Sequence, residues 1–231
     1  MTRVKICGIQ QPEHALVAAE AGADYIGLVF VPGRRRRVEV AAAREMVSRI
    51  GALGSNFPGD NVPKMVGLFA DQSSEAVNEV VRSCRLDLVQ LCGRESLDYC
   101  QRVQARVIKV LHVPGPGFEG APGLLADILR FREAGHLVTL DRQVDGWPGG
   151  TGQRFDWDIA AQLSHQGSEF LLAGGLTPDN VAQAIAKVRP WGVDVSSGVE
   201  TSGVKDPEKI RAFVVNARLA GELPLLASEN G

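Results

Sequence analysis

The chain has 231 residues, 45% of them hydrophobic and 23% charged, with a formal net charge of −2. That composition suits a soluble protein with a sizeable core, and the length suits one alternating α/β barrel. The charge gives no strong drive toward nucleic acid or an anionic membrane, so no nucleic-acid or membrane partner is expected and any anion site must be built locally.

The opening stretch MTRVKICG runs straight into a strand-like segment, with no charged leader and apolar run, and no secretory signal is expected. No apolar run approaches the roughly 20 residues needed to cross a bilayer. The four cysteines, Cys7, Cys84, Cys92 and Cys100, form no C-x-x-C pair and no zinc-like spacing. Free thiols in a reduced, cytoplasmic setting are expected.

In chain order, the pattern predicts strand one over Arg3 to Cys7, a helix over Glu13 to Ala21 closed by Gly22, and strand two over Tyr25 to Phe30. A helix over Glu39 to Ile50 and a loop from Gly51 to Pro63 lead to strand three, Lys64 to Phe69, with Ser73 capping the next helix. Strand four is predicted over Leu86 to Leu91 with a helix over Ser96 to Val103. Strand five spans Val107 to Leu111, followed by a helix over Gly123 to Ala134. Strand six covers Leu137 to Asp141. A long loop carries Pro148-Gly149-Gly150-Thr151-Gly152, and its stretch from Gly146 reads equally as a closing lid or an ordinary flexible loop. A helix over Asp156 to Leu163 and strand seven over Phe170 to Ala173 follow. Thr177-Pro178 reads as a cap residue with proline at the first helical position. Strand eight is Gly192 to Ser196, the last helix Pro207 to Leu219, and residues 221–231 read as a flexible tail behind a single domain over 1–220.

Eight strand–helix units in strict alternation imply a parallel sheet with helical crossovers, and eight is the number that closes a (β/α)8 TIM barrel. An open doubly wound sheet competes, but no strand–turn–helix carries the G-x-G-x-x-G that a dinucleotide-binding version needs. Barrel enzymes place their chemistry at the C-terminal strand ends. Strand alternation turns Val4 and Ile6 toward the helices and Lys5 and Cys7 inward. It likewise turns Thr139 and Asp141 inward from strand six, and Asp194 and Ser196 inward from strand eight. Cys7 and Asp141 are thus the last inward residues of their strands, both titratable and both at the mouth. A buried filler thiol and a loop-starting aspartate are the plainer readings of the same two residues.

Two glycine-bearing loops fit a phosphate. Gly174 and Gly175 lie after strand seven, and Ser196, Ser197 and Gly198 follow strand eight, where this fold recurrently binds phosphate. The run Arg34-Arg35-Arg36-Arg37 after strand two is either a solvated face or a source of one arginine for a ligand carboxylate, and the run alone does not say which.

The motifs Lys5-Ile6-Cys7-Gly8, Gly27-Leu28-Val29-Phe30, Val66-Gly67-Leu68-Phe69, Val89-Gln90-Leu91, Gly149-Gly150-Thr151-Gly152, Leu172-Ala173-Gly174-Gly175-Leu176 and Val193-Asp194-Val195-Ser196-Ser197-Gly198-Val199-Glu200 together resemble phosphoribosylanthranilate isomerase of tryptophan biosynthesis. The likeness runs in order from Lys5 to about Ala217. It implies an isomerase that performs an Amadori rearrangement of N-(5-phosphoribosyl)anthranilate by general acid/base catalysis. By the same resemblance Cys7 is the base, Asp141 the acid and Arg36 the holder of the anthranilate carboxylate. Gly150 and the two phosphate loops complete the substrate site, with no metal or organic cofactor and a small phosphorylated substrate as the partner. The sequence leaves the oligomeric state open between monomer and homodimer.

A base cysteine needs thiolate character, so its surroundings are expected to depress its pKa. Lys5 either assists in this or is neutralised by Asp194. The chain departs from the family where Cys92 replaces a histidine before Gly93, which implies a mouth without an imidazole. It departs again in the four arginines after Pro32-Gly33. Competing readings are a phosphosugar isomerase of histidine biosynthesis, or a bifunctional relative, and a non-catalytic phosphate-binding barrel. The histidine-pathway enzymes carry aspartate at the Cys7 position and duplicated half-barrels, and no internal repeat is visible here. Indole-glycerol-phosphate synthase needs a lysine acid and a longer N-terminal extension.

Overall fold

A computed structural model describes residues 1–54, 62–113, 121–142 and 157–222. Eight parallel strands close a barrel in sequential order. They are β1 (Arg3–Cys7), β2 (Tyr25–Val29), β3 (Lys64–Phe69), β4 (Leu88–Leu91), β5 (Arg106–Val113), β6 (Leu137–Arg142), β7 (Leu171–Leu172) and β8 (Gly192–Val195). Closure comes from β1 pairing with β8, with Lys5 opposite Asp194 and Ile6 opposite Val195.

The crossovers are α1 (Pro12–Glu20), α2 (Val40–Leu53), α3 (Ser74–Cys84), α4 (Leu97–Arg102), α5 (Ala121–Glu133), α6 (Trp157–His165), α7 (Val181–Val188) and α8 (Pro207–Glu222). Between β8 and α8 lie a 3₁₀ turn (Ser197–Val199) and a two-stranded hairpin, β9 (Glu200–Thr201) with β10 (Val204–Lys205). Among the described residues no helix is long and apolar enough to cross a membrane.

Alternation along the strands divides the apolar side chains into two cores. Val4, Ile6, Val138, Leu140, Val193 and Val195 pack outward against the helices. Tyr25, Val66, Leu68, Leu88, Ile108, Leu137 and Leu171 fill the barrel with Cys7 at the upper end of β1. The same alternation places Lys5, Gln90, Thr139 and Asp194 in the barrel interior, all buried.

Several boundaries differ from the sequence expectation. Thr177-Pro178 does not begin a helix: 178–180 form a turn and α7 starts at Val181. The reason is Asn180, whose Oδ1 accepts from Thr177 N at 2.8 Å and whose Nδ2 donates to Gly175 O at 2.9 Å, holding the loop after β7 open. Ser73 does cap α3, accepting from Ala76 N at 3.2 Å. β5 runs two residues past Leu111, and α2 runs to Leu53.

The tail expectation also shifts, because Gly221 and Glu222 belong to α8. A Cβ on Gly221 would sit 2.6 Å from Thr2 Oγ1, so glycine lets the helix end lie against the N-terminal strand. Residues 223–231, the Gly146–Gly152 stretch with Gly150, and Asp156 lie outside the described residues.

Candidate active site

Cys7 ends β1, only 6% exposed at the barrel mouth. Two glycines make its seat. Gly27, opposite it on β2, would put a Cβ 3.0 Å from Cys7 Sγ, so its bare backbone leaves room for the thiol. Gly8 takes φ +76°, and a Cβ there would meet Arg36 Cδ at 2.5 Å. Glycine is therefore needed both for the left-handed turn and for the arginine stem that crosses it.

Directly below, Lys5 Nζ donates to Asp194 Oδ2 at 2.8 Å, both side chains being buried. Burial pulls the Lys5 ammonium down, but Asp194 and Cys7 more than offset it, and the group stays charged well above its ordinary range. Lys5 is thus paired with Asp194, and its charge works to lower the Cys7 thiol pKa. The expected depression of the Cys7 pKa does not occur. Burial pushes the thiol up, Lys5 opposes this and Asp194 adds to it, so the free site holds a protonated thiol at neutral pH.

Asp141 lies on β6 facing the same interior, partly exposed, with Oδ1 accepting from Arg142 N at 2.8 Å. Burial and the Asp194 charge raise its carboxyl to about 6, against the backbone hydrogen bond and His112, which lower it. A carboxyl at about 6 keeps a usable proton near neutrality, as a general acid requires. Asp194 thus acts on both the thiol and the carboxyl, and its own Oδ1 is buried without a hydrogen-bond partner among the described residues.

Of the four arginines, Arg36 is the one drawn into the mouth. Its Nε and Nη2 reach Glu200 Oε1 and Oε2 at 2.6 and 3.1 Å, and its side chain is 17% exposed. Arg35 also grips Glu200, at 2.7 Å, from a half-exposed position. Lys205 of the β9–β10 hairpin completes the cluster, with Nζ 3.0 Å from Glu200 Oε1 and 2.7 Å from Ser196 O. Burial works against ionisation of Glu200, yet its hydrogen bond from Arg36 and the charge of Lys205 hold it down at about 2.

The two expected phosphate loops meet. Gly174 and Gly175 take φ +89° and +69°, and a Cβ on Gly198 would overlap the Leu176 carbonyl oxygen. Ser196 Oγ donates to Cys7 O at 3.1 Å, which ties the loop after β8 to the end of β1. Cys7, Asp141, Arg36, Gly174, Gly175, Ser196, Ser197 and Gly198 are thus all carried by strand ends and loops at the C-terminal side of the barrel.

Three residues escaped the sequence reading. Glu200 and Lys205 are charges on a hairpin whose turn carries no strong local pattern, although Glu200 ends a quoted motif. The third is His112. Because β5 continues to Val113, His112 pairs with Asp141 in register and faces the same side. The expectation of a mouth without an imidazole is overturned. His112 Nε2 lies 3.1 Å from Cys92 O, beside the cysteine that displaced the expected histidine. Burial pushes the Cys92 thiol up to about 12, which leaves it inert as an acid or base.

A closed parallel barrel with a thiol, a raised carboxyl, an arginine and paired glycine loops at one mouth has the architecture of a (β/α)8 enzyme. Residues 4–216 match the family of N-(5'phosphoribosyl)anthranilate (PRA) isomerase. The N-(5'-phosphoribosyl)anthranilate isomerase of Trichlorobacter lovleyi is 43% identical over 95% of this chain and 100% of its own length. That of Roseiflexus castenholzii is 44% identical over 94% and 98%. The crystal structure of the Thermotoga maritima enzyme superposes with a TM-score of 0.78 at 32% identity, covering 94% of this chain and 99% of that one. A further structure of a phosphoribosyl anthranilate isomerase, in complex with reduced 1-(o-carboxyphenylamino)-1-deoxyribulose 5-phosphate, gives 0.75 at 32% identity over the same shares. The chain belongs to the phosphoribosylanthranilate isomerase family and is an isomerase.

Proposed function

We propose that the chain rearranges N-(5-phosphoribosyl)anthranilate to 1-(2-carboxyphenylamino)-1-deoxyribulose 5-phosphate, a step of tryptophan biosynthesis, with Asp141 as acid and Cys7 as base. The observation that carries the assignment is the placement of a thiol and a raised carboxyl at one barrel mouth. Burial holds the Asp141 carboxyl up at about 6, and Cys7 ends the strand that carries the buried, charged Lys5 two residues earlier.

Asp141 protonates the ribosyl ring oxygen, and the C1–O bond breaks as the nitrogen lone pair forms a cationic Schiff base. Cys7 then gives up its thiol proton to water at the mouth, and the thiolate takes the proton from C2, whose bonding electrons make the C1–C2 double bond of a neutral enolamine. Loss of the proton on the C2 oxygen and gain of one at C1 give the ketone. The proton that the thiol released to water returns to Asp141, and Cys7 keeps the one taken from C2, which restores both groups. Each positioned transfer contributes about 10²–10⁴-fold.

The raised pKa of free Cys7 fits this order of events. The cation formed by ring opening lies beside the thiol and, with Lys5, favours the thiolate only after the first step. Arg36 is the proposed partner of the anthranilate carboxylate, which would share or replace Glu200 on the guanidinium. Backbone N–H groups of Gly174, Gly175, Ser196, Ser197 and Gly198 are the proposed phosphate cradle, to which Gly150 would add from outside the described residues.

The test is fluorescence-monitored turnover of freshly generated phosphoribosylanthranilate, with the aminoimidazole substrate of histidine biosynthesis run alongside. Turnover of the anthranilate compound alone is expected. Turnover of both would make the chain bifunctional, and turnover of neither would reduce it to a phosphate-binding barrel.

A further inference from the structure

We propose that His112 is a substrate-contacting residue of this site, whose Nδ1 accepts a hydrogen bond from a hydroxyl of the ribosyl group. The inference rests on the isomerase reading above. Its structural basis is a fixed tautomer. A carbonyl oxygen only accepts, so His112 Nε2, 3.1 Å from Cys92 O, must carry the hydrogen. In its neutral form the ring then presents its lone pair at Nδ1, and that atom is buried with no hydrogen-bond partner among the described residues.

A buried acceptor left without a donor is costly, and such groups ordinarily have one. Here the ring stands in register with the proposed acid on the adjacent strand and faces the barrel mouth with it. The sugar atoms next to a ring oxygen held by Asp141 carry hydroxyls, which are donors of the right reach. Lys109, three residues earlier on β5, is turned the other way and is occupied by Glu95 and Gly93 O, each at 2.7 Å. It offers His112 no alternative partner.

Two substitutions separate the two ring nitrogens. In His112→Asn the amide oxygen stands near the place of Nδ1, while the shorter side chain gives up the bond to Cys92. His112→Gln keeps a donor at the place of Nε2 and loses the acceptor. Steady-state turnover of phosphoribosylanthranilate and the Kd of reduced 1-(o-carboxyphenylamino)-1-deoxyribulose 5-phosphate are measured for wild type, His112→Asn, His112→Gln and His112→Ala. Circular dichroism serves as the fold check.

We expect kcat/KM to fall about 10-fold or more in His112→Gln and His112→Ala, with a matching weakening of the analogue, and to stay within about 3-fold of wild type in His112→Asn. Wild-type values in all the variants, or an equal loss in His112→Asn, would overturn the assignment. If His112→Ala does not fold, the Asn and Gln variants carry the comparison alone. A wild type that fails to turn over the anthranilate compound would instead refute the isomerase reading, so the two failures are distinguishable.

Discussion

At the residue scale, the site depends on two charges buried beneath it. Lys5 and Asp194 are the only cation and anion joined inside the barrel among the described residues, and each acts on a proposed catalytic group. Breaking such a buried pair typically costs about 3–5 kcal/mol, because the survivor is left uncompensated. Lys5→Met is best made together with Asp194→Asn, which removes both charges. The sign on Cys7 follows from its causes: losing Lys5 removes what lowers the thiol pKa, and losing Asp194 removes what raises it, with Lys5 the larger of the two. The Cys7 thiol in the double variant should therefore titrate at higher pH than in wild type, measured by thiolate absorbance or pH-dependent alkylation. An unchanged titration would mean that Lys5 does not assist the base. Cys7 and Asp141 were legible in the sequence because strand alternation is enough to place them. Glu200, Lys205 and His112 were not, since each needs a hairpin or a strand end that only the folded chain defines.

At the element scale, the loops after β7 and β8 work as one unit. Gly198 is packed so closely on Leu176 O that no side chain fits, while Asn180 fixes the other side of the same loop. Gly198→Ala must push the two loops apart, and overpacking of this kind costs about 1–3 kcal/mol. Because these loops are the proposed phosphate cradle, KM should rise about 10-fold or more while kcat changes little. A loss confined to kcat would place the phosphate elsewhere. The same loop shows why Thr177-Pro178 misled: a cap residue before proline is a good helix start, but the Asn180 side chain competes for Thr177 N and delays α7 by three residues. Strand five was ended early for a related reason. Pro114 and Gly115 mark a loop, and the strand persists to Val113 because its partner β6 continues alongside to Arg142.

At the scale of the whole molecule, the barrel separates its tasks between its two ends. Where the chain enters the barrel, Asp24 joins Arg3 and Arg218 at 2.7 Å each, and Arg218 also donates to Thr2 O and Gly22 O, binding α8 to β1 and the turn after α1. This network holds structure and touches no candidate site residue. At the other end, groups from β1, β6 and the loops after β2, β7 and β8 converge, which no shorter segment of the chain could supply. Eightfold alternation made the barrel readable from sequence, while convergence across it became visible only on folding.

The central claim is that Cys7 and Asp141 move protons from β1 and β6 at that mouth. It is tested most directly by comparing turnover of phosphoribosylanthranilate with binding of the reduced product analogue in wild type, Cys7→Ser and Asp141→Asn. The account predicts that kcat falls by about 10²–10⁴ in each variant while analogue Kd stays within a few-fold. Turnover near the wild-type rate in either variant would contradict it.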